Sequence, residues 1–387
     1  MQLEVDMTRR TLVAPSLRVA ALAVITIACR ESTEPTALAE HVAGGAARAA
    51  APVASLQLVG GLNGQARAVN NRGEVVGQHC GQGCLIRAFY WTEAGGVEEL
   101  GTLPGYTRSF AYAITETGTV FGSVQCWLAD AACGGEFAES LVRWDRVGGV
   151  WTITPLQGCA RTNDEVPVND NNQCVGRDAG SLQLVVQTLS GGAVVSSEAI
   201  PRLDPAGIET AWAMSNAPMV AGQARPGGQT VPVIWYRNSA GAWVVLPLSL
   251  PPTYEIGAAL DISEPNAAGR VRVSGRAAGG ARGYSAMRWT LDPDGLGGLR
   301  VTSTEVLDVG KGRTDSHGEA VNAVGDVTGH LNIQPVFWPV GGGKQMLPLP
   351  SGGNYGRAFD INDNGWIVGW VFDRASNCDR AAVWRLP

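Results

Sequence analysis

Seven times between Ala68 and Gly369 the chain repeats one short pattern: small residue, any residue, aliphatic, polar turn, then a β-rich stretch that closes on glycine. The copies are AVNNRGEVVG (68–77), AITETGTVFG (113–122), PVNDNNQCVG (167–176), AMSNAPMVAG (213–222), DISEPNAAGRVRVSG (261–275), AVNAVGDVTG (320–329) and DINDNGWIVG (360–369). Their closing glycines lie 40 to 54 residues apart. A period of this length marks a repeat architecture, and a unit of about 40–50 residues built from four strands is the period of a β-propeller blade. The 51 glycines and the low charge content of 17% agree with many short strands joined by turns.

Each unit divides into four strand-like pieces. The first alternates small residues, as in Ala66-Arg67-Ala68-Val69, Ala111-Tyr112-Ala113-Ile114, Ala211-Trp212-Ala213-Met214 and Ala358-Phe359-Asp360-Ile361. That alternation is the period-two signal of a strand, and small side chains permit the close approach an innermost strand requires. A polar turn follows, clearest in Asn70-Asn71-Arg72-Gly73 and Asn362-Asp363-Asn364-Gly365. There Asn can bond its own backbone and Gly can take positive φ. The second strand runs to the closing glycine. The third carries a tryptophan: Trp91, Trp144, Trp235, Trp289, Trp338 or Trp384. Their fixed place in the unit argues for packing between sheets rather than for a ligand cage. The third unit departs twice, with Gln187 in place of Trp and Pro167 in its first strand. A fourth strand completes most units, as at Val97 to Leu103, Trp243 to Leu248 and Gln345 to Leu349.

The ends of the array complement each other. The seventh unit stops straight after its third strand at Val383-Trp384, while a lone strand, Ser55-Leu56-Gln57-Leu58-Val59, precedes the first unit. Lending that strand to the last unit closes a ring and covers its edges. The reading is an all-β, seven-bladed propeller, closed three-plus-one. Its blades are placed at about 66–104, 109–157, 164–204, 209–250, 257–309, 316–350, and 355–386 with 55–60.

The N-terminal segment is of another kind. Arg9, Arg10 and Arg18 precede an apolar run from Val19 to Ala28 that ends at Cys29. Roughly ten apolar residues are too few for a stable bilayer span but suit a signal-peptide core. Ile25-Thr26-Ile27-Ala28-Cys29 is similar to a bacterial lipoprotein cleavage box, which would place a lipid on Cys29; ordinary cleavage near Ala28 is the competing reading. Residues 30–54 have the Ala, Pro, Thr and Gly content of a flexible tether. Cysteine usage agrees with export. Cys80–Cys84, Cys126–Cys133 and Cys159–Cys174 are local pairs that an oxidising compartment allows, and Cys378 is left over, with Cys80 or Cys84 as rival partners.

With residues Arg87-Ala88-Phe89-Tyr90-Trp91 in the third strand and Leu100-Gly101-Thr102-Leu103-Pro104-Gly105 after it, the units resemble the HAF extracellular repeat family. The resemblance covers about residues 55–387, although the family's histidine is replaced in all seven units. It implies an exported bacterial protein of propeller form. It brings no established activity and no catalytic residues.

Motifs for chemistry are sparse. Net charge near −6 with no basic stripe argues against nucleic-acid binding. There is no zinc-protease helix, nucleophile elbow or phosphate loop. His79, Cys80 and Cys84 lack the further ligands of a zinc site and read as a disulfide-braced hairpin. Asp360, Asn362 and Asp363 hint at a calcium loop, yet the equivalent turns NNRG, TETG and NAVG lack the carboxylates. No metal or cofactor is therefore expected.

The blade pattern does nominate a face. Residues after each closing glycine (Gln78, Ser123, Arg177, Gln223, Arg276, His330 and Trp370) and residues before each inner strand (Gln65, Phe110, Asp164, Thr210, Ala258, His317 and Arg357) converge on one channel mouth. A ring rich in Arg, His, Gln and aromatic groups suits an anionic or carbohydrate ligand. Trp127, inside the Cys126–Cys133 loop, is a further contact candidate. The expectation is a monomeric binding or scaffold module for a glycan or an envelope protein, tied to a membrane only through an N-terminal lipid. A glycan hydrolase or lyase using acids such as Asp164 is the alternative, and a purely structural envelope component a third.

Overall fold

The computed structural model describes residues 54–127, 137–162, 165–279, 283–308 and 315–387. The segment up to residue 53, which includes Cys29 and nearly all of the tether, lies outside them, as do Cys133 and Asp164. Seven antiparallel sheets form a seven-bladed β-propeller, six of them built from consecutive strands and the seventh from the last three strands together with the first. Six sheets have four strands. Among the described residues no helix is long and apolar enough to cross a membrane.

The ring closes as the chain ends suggest. Ser55–Leu62 forms the outer strand of the seventh blade and pairs with Cys378–Arg385, from Ser55 opposite Arg385 to Leu62 opposite Arg380. This covers what would otherwise be an open sheet edge.

Packing follows the same sevenfold logic. Each junction between neighbouring blades has its own apolar cluster, and six of the seven contain the third-strand tryptophan of one of the two blades. All six of these tryptophans are buried, at 4% exposure or less. Three also tie blades by hydrogen bonds: Trp235 Nε1 donates to the Pro201 carbonyl, Trp289 Nε1 to Ser249 and Trp384 Nε1 to Pro348, each at 2.8 Å. The junction between blades two and three is the smallest, with Phe121, Cys174 and Leu189 at its centre. There Gln187 stands where the other blades have tryptophan, and the Cys159–Cys174 disulfide lies alongside.

In that third blade the inner strand is reduced to isolated pairing, Val168 opposite Cys174. Pro167 has no N–H to give to a ladder, though its carbonyl still accepts from Val175 N at 3.0 Å.

The polar turns do more than reverse the chain. Asn70 Oδ1 accepts from Arg72 N and Glu74 N inside its own turn, while its Nδ2 reaches the Thr115 carbonyl of the next blade. Asn169 and Asn362 repeat this with Ser215 and Asn70. One residue further on, a belt of backbone donors runs round the ring. Asn71 N donates to Glu116, Glu116 N to Asp170, Asp170 N to Asn216, and Asn216 N to Glu264. Ala323 N then donates to Asp363 and Asp363 N to Asn71. The belt is interrupted between blades five and six, where Ala323 has no side-chain acceptor to offer Glu264. Asp360 and Asp363 are thus engaged in joining blades, which accounts for the carboxylates of the DINDNG turn.

Candidate functional site

Every four-stranded blade carries one extra residue in its inner strand. The pairing register slips between Ala66 and Ala68, Ala111 and Ala113, Ala211 and Ala213, Ala259 and Asp261, Gly318 and Ala320, and Ala358 and Asp360. The residues left over are Arg67, Tyr112, Trp212, Leu260, Glu319 and Phe359. A β-bulge bends its strand and re-aims a side chain. Here all six line the central channel, a cavity of about 380 Å³ to which blade three contributes Glu165 and Val166. The bulge also explains the closing glycines. A Cβ at Gly77, Gly122, Gly222, Gly275, Gly329 or Gly369 would overlap the carbonyl oxygen of Gln65, Phe110, Thr210, Ala258, His317 or Arg357 on the inner strand. None of these six has positive φ, so the requirement is space, not conformational freedom.

The channel wall holds four carboxyl groups. Burial pushes Glu165 up to about 8, opposed by Arg67 and reinforced by Asp360, Glu319 and Asp261. Burial likewise lifts Asp360 to about 7 and Asp261 to about 6, although both accept backbone N–H bonds, from Val69 and from Val321 respectively. Burial works against the charge of Glu319 too, but the adjoining His317 and His330 imidazoles outweigh it and hold that carboxyl well below its usual range. The Arg67 guanidinium lies 4.3 Å from the Phe359 ring centre.

At one mouth of the channel the residues nominated from the sequence turn out to be cross-strand partners. Gln65 faces Gln78, Phe110 faces Ser123, Thr210 faces Gln223, Ala258 faces Arg276, His317 faces His330 and Arg357 faces Trp370. Blades five to seven bring Arg276, His317, His330 and Arg357 into one network. Arg276 Nη1 is 3.1 Å from His317 Nδ1, Arg357 Nη2 is 2.9 Å from His330 Nε2, and the two imidazole centres are 4.4 Å apart. Glu319 Oε1 sits 3.2 Å from His330 Nδ1 and 3.4 Å from His317 Nδ1. Burial lowers the His330 pKa, so its neutral ring can accept from Arg357 through Nε2 and present Nδ1–H to Glu319. Asp315, His317 and His330 place ligand atoms within 4.8 Å of one another, close enough for a metal. Two guanidinium groups already face those imidazoles, however, which disfavours a further cation. The cluster reads as a device that positions arginines.

The other nominated residues are dispersed. Gln78 is buried and donates to Gln65 Oε1 at 3.0 Å. Arg177 gives its guanidinium to the Leu182 and Glu209 carbonyls, tying blade three to blade four. Trp127 is 42% exposed, donates to Gln125 Oε1 at 2.8 Å and stacks under Arg108. Cys80 pairs with Cys84, which removes both as partners for Cys378 and rules out a thiolate zinc site with His79. Cys126 and Cys378 are disulfide-bonded as well.

Between blades four and five a second cavity of about 370 Å³ opens beside the mouth. Trp212 and Arg276 belong to its wall and to the channel wall alike. Sequence reasoning named Thr210, Gln223, Ala258 and Arg276 there but missed Trp212, Arg225 and Tyr284. The signal for Trp212 was available, because the residue between the two small ones is the most variable position of an otherwise preserved strand.

No family model matches the chain, and no curated protein sequence matches it. Solved structures that share its outline include a protein of unknown function from Dyadobacter fermentans, 11% identical with a TM-score of 0.39 over 88% of this chain and 99% of that one. AofleA from Arthrobotrys oligospora is 10% identical, TM-score 0.40, over 76% and 88%. The periplasmic gluconolactonase of Pseudomonas aeruginosa is 12% identical, TM-score 0.36, over 83% and 82%. Likeness at this level says nothing about activity. The fold assignment rests on the strand topology itself.

Proposed function

We propose that the protein is an exported bacterial propeller of the HAF-repeat kind that recognises a glycan or protein partner through the loop face. The observation that carries this reading is the convergence of Arg276, His317, His330 and Arg357 at one channel mouth, with Trp370 directly across the strand pair from Arg357. Guanidinium groups held in place by buried imidazoles lose little freedom on binding, which favours bidentate recognition of an anionic group. Export is supported by the signal-like segment before Cys29 and by the Cys80–Cys84 and Cys159–Cys174 disulfides. A lipid on Cys29 would tether the ring to a membrane through residues 30–54. The test is an Arg276→Ala, Arg357→Ala double variant screened on glycan and envelope-protein arrays. Loss of binding at an unchanged melting temperature supports the proposal; unchanged affinity refutes it.

One observation favours an enzymatic alternative. Glu165 and Glu319 share the channel, yet their surroundings push their pKa values in opposite directions, the pattern of an acid and base pair. A hydrolase or lyase assay run on the same glycans decides it, with Glu165→Gln abolishing any turnover.

A further inference from the structure

We infer that the cavity between the fourth and fifth blades is a binding site for an acidic saccharide. The inference rests on the loop-face reading and gives that face a ligand class. Two features of the cavity point the same way.

The first is charge. Arg225 and Arg276 line the cavity and, among the described residues, no Asp or Glu does, although the chain as a whole carries a net charge of −6. Arg225 is exposed and makes no side-chain hydrogen bond or ion pair among the described residues. The Arg276 guanidinium meets the His317 ring and the face of Tyr284, 4.7 Å from the ring centre. Among the described residues neither has a carboxylate partner, so a ligand acid group would meet two guanidinium groups without displacing an ion pair.

The second is the remaining lining. Hydroxyls of Thr210 and Thr230 and the Gln223 amide match a polyhydroxylated ring, while Trp212 and Tyr284 offer apolar faces to its C–H surface. A volume of about 370 Å³ falls in the range of small-ligand sites and far exceeds an inorganic anion. Because Trp212 and Arg276 also line the channel, a chain of such sugars seated here would run on toward Arg357.

The experiment uses the full chain on an array carrying uronate, sialoside and neutral glycans, followed by calorimetric titration of the acidic glycan bound best. Acidic glycans should bind and their neutral counterparts should not. Arg225→Ala, a change at an exposed side chain, should weaken binding by at least about tenfold with an unchanged melting temperature, and Arg225→Lys should recover part of it. Equal binding of neutral glycans overturns the inference, as does the absence of any acidic hit. Complete competition by sodium sulfate would reduce the site to an anion site and overturn the saccharide assignment. If Arg357→Ala abolishes binding while Arg225→Ala leaves it intact, the loop-face reading survives and this cavity is not the site.

Discussion

Replacing Gly222 with alanine tests the physical reason for the repeat's most constant residue. Gly222 has ordinary backbone angles, so conformational freedom does not explain it. An added Cβ would overlap the Thr210 carbonyl oxygen and stand 2.9 Å from the Trp235 ring, where about 3.5–4.0 Å is comfortable. The inner strand must then move by most of an ångström at the bulge. Overpacking of this kind costs about 1–3 kcal/mol. Weakening one ladder hydrogen bond adds about 0.5–1.5 kcal/mol. A total of about 1.5–4.5 kcal/mol corresponds, at about 2.1 cal/mol/K per residue over a ring of roughly 330 residues, to a fall in melting temperature of roughly 2–7 °C. Gly241 is the control, since its φ is +79° but a Cβ there would touch nothing within 4 Å, so alanine should cost only about 1 kcal/mol. Thermal unfolding followed by circular dichroism compares the two. A Gly222→Ala protein as stable as the parent, or more stable than Gly241→Ala, would refute the account of bulge and glycine.

Other consequences can be measured in the same way. Ala323→Asn should supply the missing acceptor for Glu264 N in the turn belt and raise stability by about 0.5–1.5 kcal/mol, read as a higher melting temperature. Deleting residues 55–62 removes the buried Val59 and the partly buried Leu56 and Leu58 and bares the Cys378–Arg385 edge. Size-exclusion chromatography should then show association or aggregation, not a stable monomer. Stability should also fall as pH rises from about 4.5 to 8. Glu165 and Asp360 have folded-state values raised to about 8 and about 7, so their stabilisation is complete below the unfolded carboxyl range and is lost as pH climbs through the folded values. His330 and His79, lowered by burial, act in the opposite sense and only below their ordinary value of 6.5. Glu165→Gln should flatten the melting-temperature profile between about pH 4.5 and 8.

The architecture was legible because it is written seven times. Turn residues, closing glycines and third-strand tryptophans recur at fixed places, and the strand at 55–59 matched the gap in the last unit. The ring of polar residues was legible for the same reason, since Arg276, His317, His330 and Arg357 occupy equivalent positions in successive copies. The bulge was not. In Ala211-Trp212-Ala213-Met214 the alternation looks like an unbroken strand, and nothing local reveals that Trp212 has no partner opposite it. Whether a strand absorbs an extra residue depends on its neighbour's register, which a period-two pattern does not encode. The inter-blade roles of Asn71, Glu116 and Asp363 were hidden likewise, because each hydrogen bond spans a whole repeat or closes the ring. Arg177 shows the opposite failure. Its repeat position nominated it for a ligand, but its guanidinium holds two backbone carbonyls.

The most direct test of the central claim is a crystal structure of the protein with the acidic glycan that it binds best. The account predicts the sugar on the loop face, its acid group against Arg276 and its chain between the fourth-to-fifth-blade cavity and the channel mouth. A glycan seated at the Asn-turn end of the ring, on the outer strands or at Trp127, with Arg276 untouched, would contradict it.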